Sequence, residues 1–260
     1  MIEILILFVV GIGVGTFGTL VGIGGGLIMI PLFTFALPTL FNSTPEIIGT
    51  SLFGVFLNAL SGTYAYVRQH RVYFKAAIPF AIATVPGAIL GGIVSDYFTG
   101  PTFSLAYGIF VLCISAIMYW NSNNKRAISM TFDESLFIKR KNVGIALSCL
   151  VGFISSIFGI GGGVIHVPTM IYALAFPPHM ATATSHFVLA VSSFIGVTSH
   201  LAMKHIVWIP ALSVGIGAII GAQIGAKASK STRPRTIVLL LCLALFLLGL
   251  RMIAESHLLF

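Results

Sequence analysis

The sequence predicts an all-α polytopic membrane protein made of two inverted-topology repeats, and its composition gives the first indication. Of 260 residues, 57% are hydrophobic and 8% are charged, and the mean hydropathy is +1.06. A soluble domain carries about 25% charged residues, so this chain has too few to cover a surface that faces water. Several apolar stretches approach the roughly 20 residues that cross a bilayer, and their continuity favours helices over the short alternating strands of a barrel.

The apolar segments form two sets of about five. The first set covers about 2–21, 26–41, 46–67, 76–95 and 101–120. The second set covers about 142–158, 163–177, 179–202, 206–226 and 235–253. Residues 121–141 are polar and basic and predict a cytoplasmic linker, so the expected domains are 1–120, 121–141 and 142–260.

An internal duplication relates the two sets. The stretch Gly22–Pro31, GIGGGLIMIP, returns as GIGGGVIHVP at Gly159–Pro168, at an offset of 137 residues. In the next segment the pair Thr50-Ser51 falls on Thr184-Ser185, at an offset of 134. Repeated small and polar residues in the same order indicate two copies of one structural unit.

The distribution of basic residues predicts how the repeats are oriented. If the loop at 68–75 is cytoplasmic, all fourteen Lys and Arg residues except Lys204 and Arg251 lie on the cytoplasmic side. Both termini are then external, and the two halves enter the membrane from opposite sides, a plan shared by many secondary transporters. The expected location is the cell membrane, with multiple passes. The first two segments of each half either cross fully or form a re-entrant hairpin around the glycines.

Two glycine clusters are candidate substrate-binding backbone. Three consecutive glycines can break a helix, and a short helix that starts just after them directs its N-terminal dipole at the break. Exposed amides at such a break bind anions without a buried cation. Tight packing of helices through small residues is the alternative explanation. The candidate backbone residues are Gly24, Gly25, Gly26, Gly161, Gly162 and Gly163.

Polar side chains in the apolar segments supply further candidates. The repeated pairs Thr50-Ser51 and Thr184-Ser185 could line a polar cavity, or could bond only to neighbouring helices. His166 and His186 are ionisable groups at membrane depth, which indicates a functional role; the alternative is a neutral, packed histidine. No nucleophile–base pair, metal-ligand pattern or cofactor motif stands out, so the sequence predicts neither an enzyme, a metal site nor a cofactor.

These motifs resemble the sulfite exporter TauE/SafE family of membrane permeases. The likeness rests on the paired GIGGG-x-x-x-x-P motifs, each followed by a segment that carries Thr-Ser, and it spans both halves. The resemblance implies a multi-pass carrier of small sulfur-containing anions such as sulfite, sulfoacetate or related organosulfonates. It also implies that the clustered glycines lie next to the substrate.

The sequence therefore predicts a secondary transporter, an exporter by the family resemblance, that moves such an anion by alternating access. The alternatives are a passive anion channel and a carrier of a different small organic anion. A membrane-embedded scaffold or enzyme is less favoured, because the loops are short. The expected partners are the small anion and the lipid bilayer. Nucleic acid is not expected, although the net charge is +8, because the basic residues lie in short loops between spans.

Overall fold

The computed structural model describes residues 2–97, 100–122 and 131–256, and the elements in these ranges are helical. In chain order they are α1 (Ile2–Val21), α2 (Gly26–Pro31), α3 (Thr44–Arg68), α4 (Phe74–Val94), α5 (Gly100–Ser122), α6 (Glu134–Phe158), α7 (Gly163–Pro168), α8 (Pro178–Ala202), α9 (Trp208–Ser231) and α10 (Pro234–Ser256). The short helices α2 and α7 continue as π-helical turns, Leu32–Ala36 and Thr169–Ala173. Short 3₁₀ turns lie at Pro38–Leu40 and Ser95–Tyr97.

Within the described ranges, eight helices are long and apolar enough to span a membrane: all except α2 and α7. Large apolar side chains point outward from them, including Ile82 at 65% and Ile209 at 65% exposure. Side chains of this type at the surface of a bundle are compatible with lipid contact and not with water. The prediction of an all-helical, multi-pass membrane protein is confirmed.

The polar connection between the halves is shorter than the predicted linker of 121–141. Helix α6 begins at Glu134, because the Asp133 carboxylate caps it by accepting from the backbone N–H groups of Ser135 and Leu136. The basic run Lys139-Arg140-Lys141 is therefore helical. Residues 123–130 lie outside the described residues.

The helices of the two predicted domains interlock. Helix α1 packs along α9, and α6 packs along α4, so the first helix of each half lies against the fourth helix of the other. Helix α3 contacts α8 and α9, and α8 contacts α3 and α4. Helices α5 and α10 pack against each other. Every one of these contacts recurs when each helix is replaced by the equivalent helix of the other half.

The two central helices, α3 and α8, run antiparallel. Near the start of α3, Leu52 lies against Gly196 near the end of α8. Near the end of α3, Gly62 lies against His186 near the start of α8. Each helix has 25 residues, which at about 1.5 Å per residue is close to 38 Å and more than the thickness of a bilayer core.

Three basic segments meet at one end of the bundle. Arg71, after α3, donates to the carbonyl of His179 at the start of α8 and to the Ser229 hydroxyl near the end of α9. Lys75, in the first turn of α4, forms an ion pair of 2.7 Å with Glu134 at the start of α6. The loop at 68–75, the start of α6 and the end of α9 therefore share one face.

Candidate functional site

Each glycine motif lies between a long helix and a short one. Helix α1 ends at Val21 and α2 begins at Gly26, while α6 ends at Phe158 and α7 begins at Gly163. Six glycines between them have positive φ, from 69° to 91°, a region that residues with a Cβ rarely occupy. They are Gly22, Gly24, Gly25, Gly159, Gly161 and Gly162. In the first motif the carbonyl of Gly18 accepts from the amides of Gly22, Ile23 and Gly24.

The two motifs pack directly against each other. A Cβ added at Gly26 would lie 2.8 Å from the carbonyl oxygen of Gly159 and 2.9 Å from Cα of Ile160. A Cβ added at Gly163 would collide in the same way with the carbonyl oxygen of Gly22 and lie 2.7 Å from Cα of Ile23. Close packing is therefore one role of these glycines, and the structure brings the two clusters to one place. We call this place the glycine junction: residues 22–26 and 159–163.

Each half supplies a serine that holds the glycine motif of the other half. Ser51 of α3 donates to the carbonyl of Gly159 at 3.1 Å, and Ser185 of α8 donates to the carbonyl of Gly22 at 3.4 Å. Both serines are fully buried. The repeated serine thus lies in contact with the glycine junction on both sides.

An apolar pair lies over the centre of the glycine junction. A Cβ added at either Gly24 or Gly161 would lie within 3.0 Å of both Val55 and Leu189. These two residues occupy equivalent positions near the middle of α3 and α8, and both are fully buried. The glycine junction therefore lies level with the middle of the spanning helices and is covered by side chains. This pair was not predicted from the sequence, although the offset of 134 relates Val55 to Leu189.

The repeated threonines have a structural partner. The hydroxyl of Thr184 accepts from the backbone N–H of Tyr73, just before α4, at 3.1 Å. The hydroxyl of Thr50 accepts from the backbone N–H of Val207, just before α9, at 3.0 Å. Each threonine thus fixes the start of the fourth helix of the other half. In this structure both threonine hydroxyls therefore accept hydrogen bonds from backbone amides.

His186 lies in a buried polar cluster next to the glycine junction. Its Nε2 lies 3.3 Å from the Thr19 hydroxyl, which donates to the Asn58 side-chain oxygen at 3.1 Å. The Tyr66 ring meets the imidazole edge-on, and its hydroxyl donates to the Thr19 carbonyl at 2.6 Å. The Nδ1 atom of His186 is buried and has no hydrogen-bond partner. A buried polar atom without a partner is costly, so it is a candidate contact for a ligand.

His166 occupies a different environment. It is 2% exposed, and its Nε2 lies 3.0 Å from the Ser148 hydroxyl of α6, which itself donates to the carbonyl of Gly144. The structure therefore places His166 between α7 and α6, whereas Ser51, Ser185 and His186 contact the other half. The two histidines predicted as site residues therefore lie in different surroundings, His186 against Thr19 of the other half and His166 against Ser148 of α6.

The glycine junction combines bare backbone, two buried hydroxyls and an imidazole with a free ring nitrogen, and no carboxylate contacts it among the described residues. Within the same ranges, no group of three or more potential ligands could hold a metal ion. Hydroxyl and amide groups can donate to an anion, and both halves supply them near the middle of the bundle. This arrangement, in a bundle with eight candidate spans among the described residues, is typical of a membrane transporter.

Comparison with known proteins agrees and is more specific. The family model described as "Sulfite exporter TauE/SafE" matches residues 7–252. The chain is similar to "Probable membrane transporter protein YunE" of Bacillus subtilis, with 36% identity over 98% of both chains. It is also similar to "Probable membrane transporter protein MJ0441" of Methanocaldococcus jannaschii, with 29% identity over 95% of this chain and 94% of the relative. No solved structure gives a significant match. The chain belongs to the TauE/SafE family.

Proposed function

We propose that this protein is a secondary transporter that carries a small sulfur-containing anion, such as sulfite or an organosulfonate, out of the cell by alternating access. The main support for the proposal is the glycine junction. There the turns between α1 and α2 and between α6 and α7 meet, level with the middle of α3 and α8. A site made by both halves at this depth can be exposed to either side when the halves tilt relative to each other.

The donors around the glycine junction suit an oxyanion. The hydroxyls of Ser51 and Ser185 bond to motif carbonyls in the closed arrangement, so an arriving anion would exchange those acceptors for its own oxygens. The Nδ1 of His186 has no hydrogen-bond partner; because Thr19 donates to Asn58, a neutral His186 donates from Nε2 to Thr19, so Nδ1 becomes a third donor only when the ring gains a proton or changes tautomer. A sulfite or sulfonate group presents three oxygens around one sulfur, which matches several converging donors. The description of the family model supports this choice of substrate.

The buried state of the glycine junction favours a carrier over a passive channel. Val55 and Leu189 contact both motifs, so the same two side chains cover the centre from both halves. A channel needs a continuous polar path in one conformation, whereas a carrier needs a closed state between its two open ones. The matched contacts of the halves and the antiparallel α3 and α8 support an inverted repeat, with the shared basic face in the cytoplasm and both termini outside.

Transport by reconstituted protein tests this proposal. Proteoliposomes loaded with labelled sulfoacetate or sulfite should show saturable efflux and counterflow, and a channel would show neither. Gly25→Leu and Gly162→Leu should each abolish flux, because both positions have positive φ and lie in the glycine junction. Gly13→Leu is the matched control, since a Cβ at Gly13 meets nothing within 4 Å. Wild-type flux in both junction variants would refute a substrate site there.

A further inference from the structure

Helices α5 and α10 form a groove on the outside of the bundle. They run antiparallel, and a Cβ added at Gly108 of α5 would lie 2.7 Å from the Ile253 side chain and 3.0 Å from the carbonyl oxygen of Gly249 on α10. One turn further along each helix, towards the end of α5 and the start of α10, a groove of about 620 Å³ opens between them. We call it the α5–α10 groove, and it is lined by Leu112, Ser115, Ala116, Tyr119, Leu239, Cys242, Leu243 and Phe246.

The α5–α10 groove is apolar. Its buried hydroxyl, that of Ser115, donates to the carbonyl of Cys242 at 3.1 Å, so this group is not left for an occupant. The wall formed by α10 carries the large apolar side chains of Leu239, Leu243 and Phe246, which are exposed at the surface of the bundle. Exposed apolar side chains around a groove favour an apolar occupant, because covering them removes their contact with water. The groove therefore fits the acyl chain of a lipid.

The α5–α10 groove reaches the basic face of the bundle. Helix α10 begins at Pro234, directly after the end of α9, which lies on that face. Tyr119 and Trp120, in the last turn of α5, are exposed at the same end, and exposed aromatic rings of this type mark the interface between membrane and water. Arg235 lies three helical turns before Phe246, which is roughly 16 Å along the helix and close to half of the hydrocarbon core of about 30 Å. The groove and its mouth thus match one leaflet in length.

Two arginines lie at the mouth of the α5–α10 groove. Arg235 precedes Leu239 by one helical turn, so it lies on the same face of α10 as the groove, just beyond its end. Its side chain is exposed and forms no ion pair within the part of the chain that the structure describes. Arg233 is also exposed, and its carbonyl accepts from the amides of Thr236 and Ile237 in the first turn of α10. The apolar groove therefore ends at two cations that can bind an anionic group.

The charge at this mouth distinguishes between possible occupants. At the same face the described carboxylates are already engaged, since Glu134 pairs with Lys75 and Asp133 accepts from the Ser135 hydroxyl. A second copy of this chain, related by a two-fold axis along the membrane normal, would bring the arginines of both copies together at one level, where like charges repel. An occupant with an apolar chain and a negatively charged head group complements both the groove and the arginines.

We propose that the α5–α10 groove binds an acyl chain of an anionic phospholipid from the leaflet at the basic face, and that the Arg235 guanidinium binds its phosphate. A guanidinium presents two parallel N–H donors that fit the oxygens of a phosphate. A zwitterionic phospholipid offers the same chain without the net negative charge, so it gains less from the two arginines. This lipid site does not depend on the proposed transport function.

Lipid binding to the purified full chain tests this inference. Native mass spectrometry in detergent, with phosphatidylglycerol and phosphatidylcholine of identical acyl chains as probes, measures the Kd of each lipid. The wild type, for which no variant has to fold, should bind phosphatidylglycerol about fivefold or more tightly than phosphatidylcholine. Arg235→Gln should weaken the binding of phosphatidylglycerol about fivefold. Ala116→Phe should weaken the binding of both lipids, because the new ring occupies part of the groove while Arg235 remains.

Arg68→Gln is the matched control. It makes the same change at another exposed arginine of the basic face, at the end of α3, which packs against α8 and α9, and it should leave both Kd values unchanged. Equal Kd values for the two lipids in the wild type would overturn the proposal. Equal losses in Arg68→Gln and Arg235→Gln would also overturn it, because they would show attraction to the whole basic face. A dimer in the mass spectrum that Ala116→Phe dissociates would overturn it as well, because the groove would then hold a second copy.

Discussion

Replacing Gly163 by alanine tests whether the two glycine motifs must touch. Gly163 has ordinary helical φ, so alanine costs no backbone strain there and would be favoured over glycine by about 1 kcal/mol within a helix. The new Cβ, however, would overlap the carbonyl oxygen of Gly22 and lie 2.7 Å from Cα of Ile23. Both are backbone atoms, so no side chain can rotate away and the motifs must separate.

Overpacking of this kind costs about 1–3 kcal/mol. Because backbone atoms cannot rotate away, we take the upper part of this range, about 2–3 kcal/mol, and after subtracting the gain of about 1 kcal/mol in helix propensity we expect Gly163→Ala to lower the free energy of unfolding by about 1–2 kcal/mol. For a chain of this size that corresponds to a fall in Tm of roughly 2–8 °C. Transport should fall further than stability, because the displaced carbonyl of Gly22 accepts the Ser185 hydroxyl.

Gly13→Ala is the control for this experiment. It makes the same chemical change in α1, at a position where a Cβ meets nothing within 4 Å. Thermal unfolding in detergent, followed by intrinsic fluorescence, and flux in liposomes should both remain close to wild type for this variant. If Gly163→Ala matched Gly13→Ala in Tm and flux, the close contact of the motifs would have no energetic importance and the reasoning would be wrong.

Three further changes have distinct expected results. Ser51→Ala should lower the free energy of unfolding by about 1 kcal/mol, and Ser185→Ala by less, because its hydrogen bond is longer, 3.4 Å against 3.1 Å. Thr184→Val should cost about 1–3 kcal/mol, because it leaves the backbone N–H of Tyr73 without its acceptor. Lys75→Gln should leave Tm unchanged, because its ion pair is exposed to solvent.

Three comparisons test these expected changes in stability. Thr198→Val removes a hydroxyl that bonds only within its own helix, to the carbonyl of Ile195, so it should change stability by less than about 0.5 kcal/mol. Equal losses for Thr198→Val and Thr184→Val would contradict the role of Thr184 as an anchor. A larger loss for Ser185→Ala than for Ser51→Ala would contradict the ranking by distance. A clear fall in Tm for Lys75→Gln, persisting at high salt, would contradict the assignment of its ion pair as a weak surface contact.

Much of the fold could be predicted from the sequence because membrane burial imposes simple rules. Apolar length located the spanning helices, and in the structure α1 and α6 end at Val21 and Phe158, just before the repeated glycines. The start of α6 was not predicted, because a polar, basic stretch is typical of a loop. In the structure the Asp133 carboxylate caps a helix that begins at Glu134. The composition of the stretch does not reveal that a single carboxylate, Asp133, caps a helix there.

The candidate site could be predicted only in part. The pattern of the repeat made Ser51 and Ser185 candidates, whereas their contacts with the opposite motif depend on how the halves interlock. Nothing in the sequence separates His186 from His166, since both are single histidines in apolar segments. The roles of Val55 and Leu189 escaped because ordinary apolar residues carry no local signal of contact with two glycine motifs at once.

The exchanged threonine contacts have a consequence for how the protein is made. When the first half emerges from the ribosome, the backbone N–H of Tyr73 has no Thr184 to bind, because α8 has not yet been synthesised. The start of α9, in turn, needs Thr50 from the half already inserted. Each half therefore lacks one backbone hydrogen bond, and its contacts with the opposite helices, until the other half is inserted beside it.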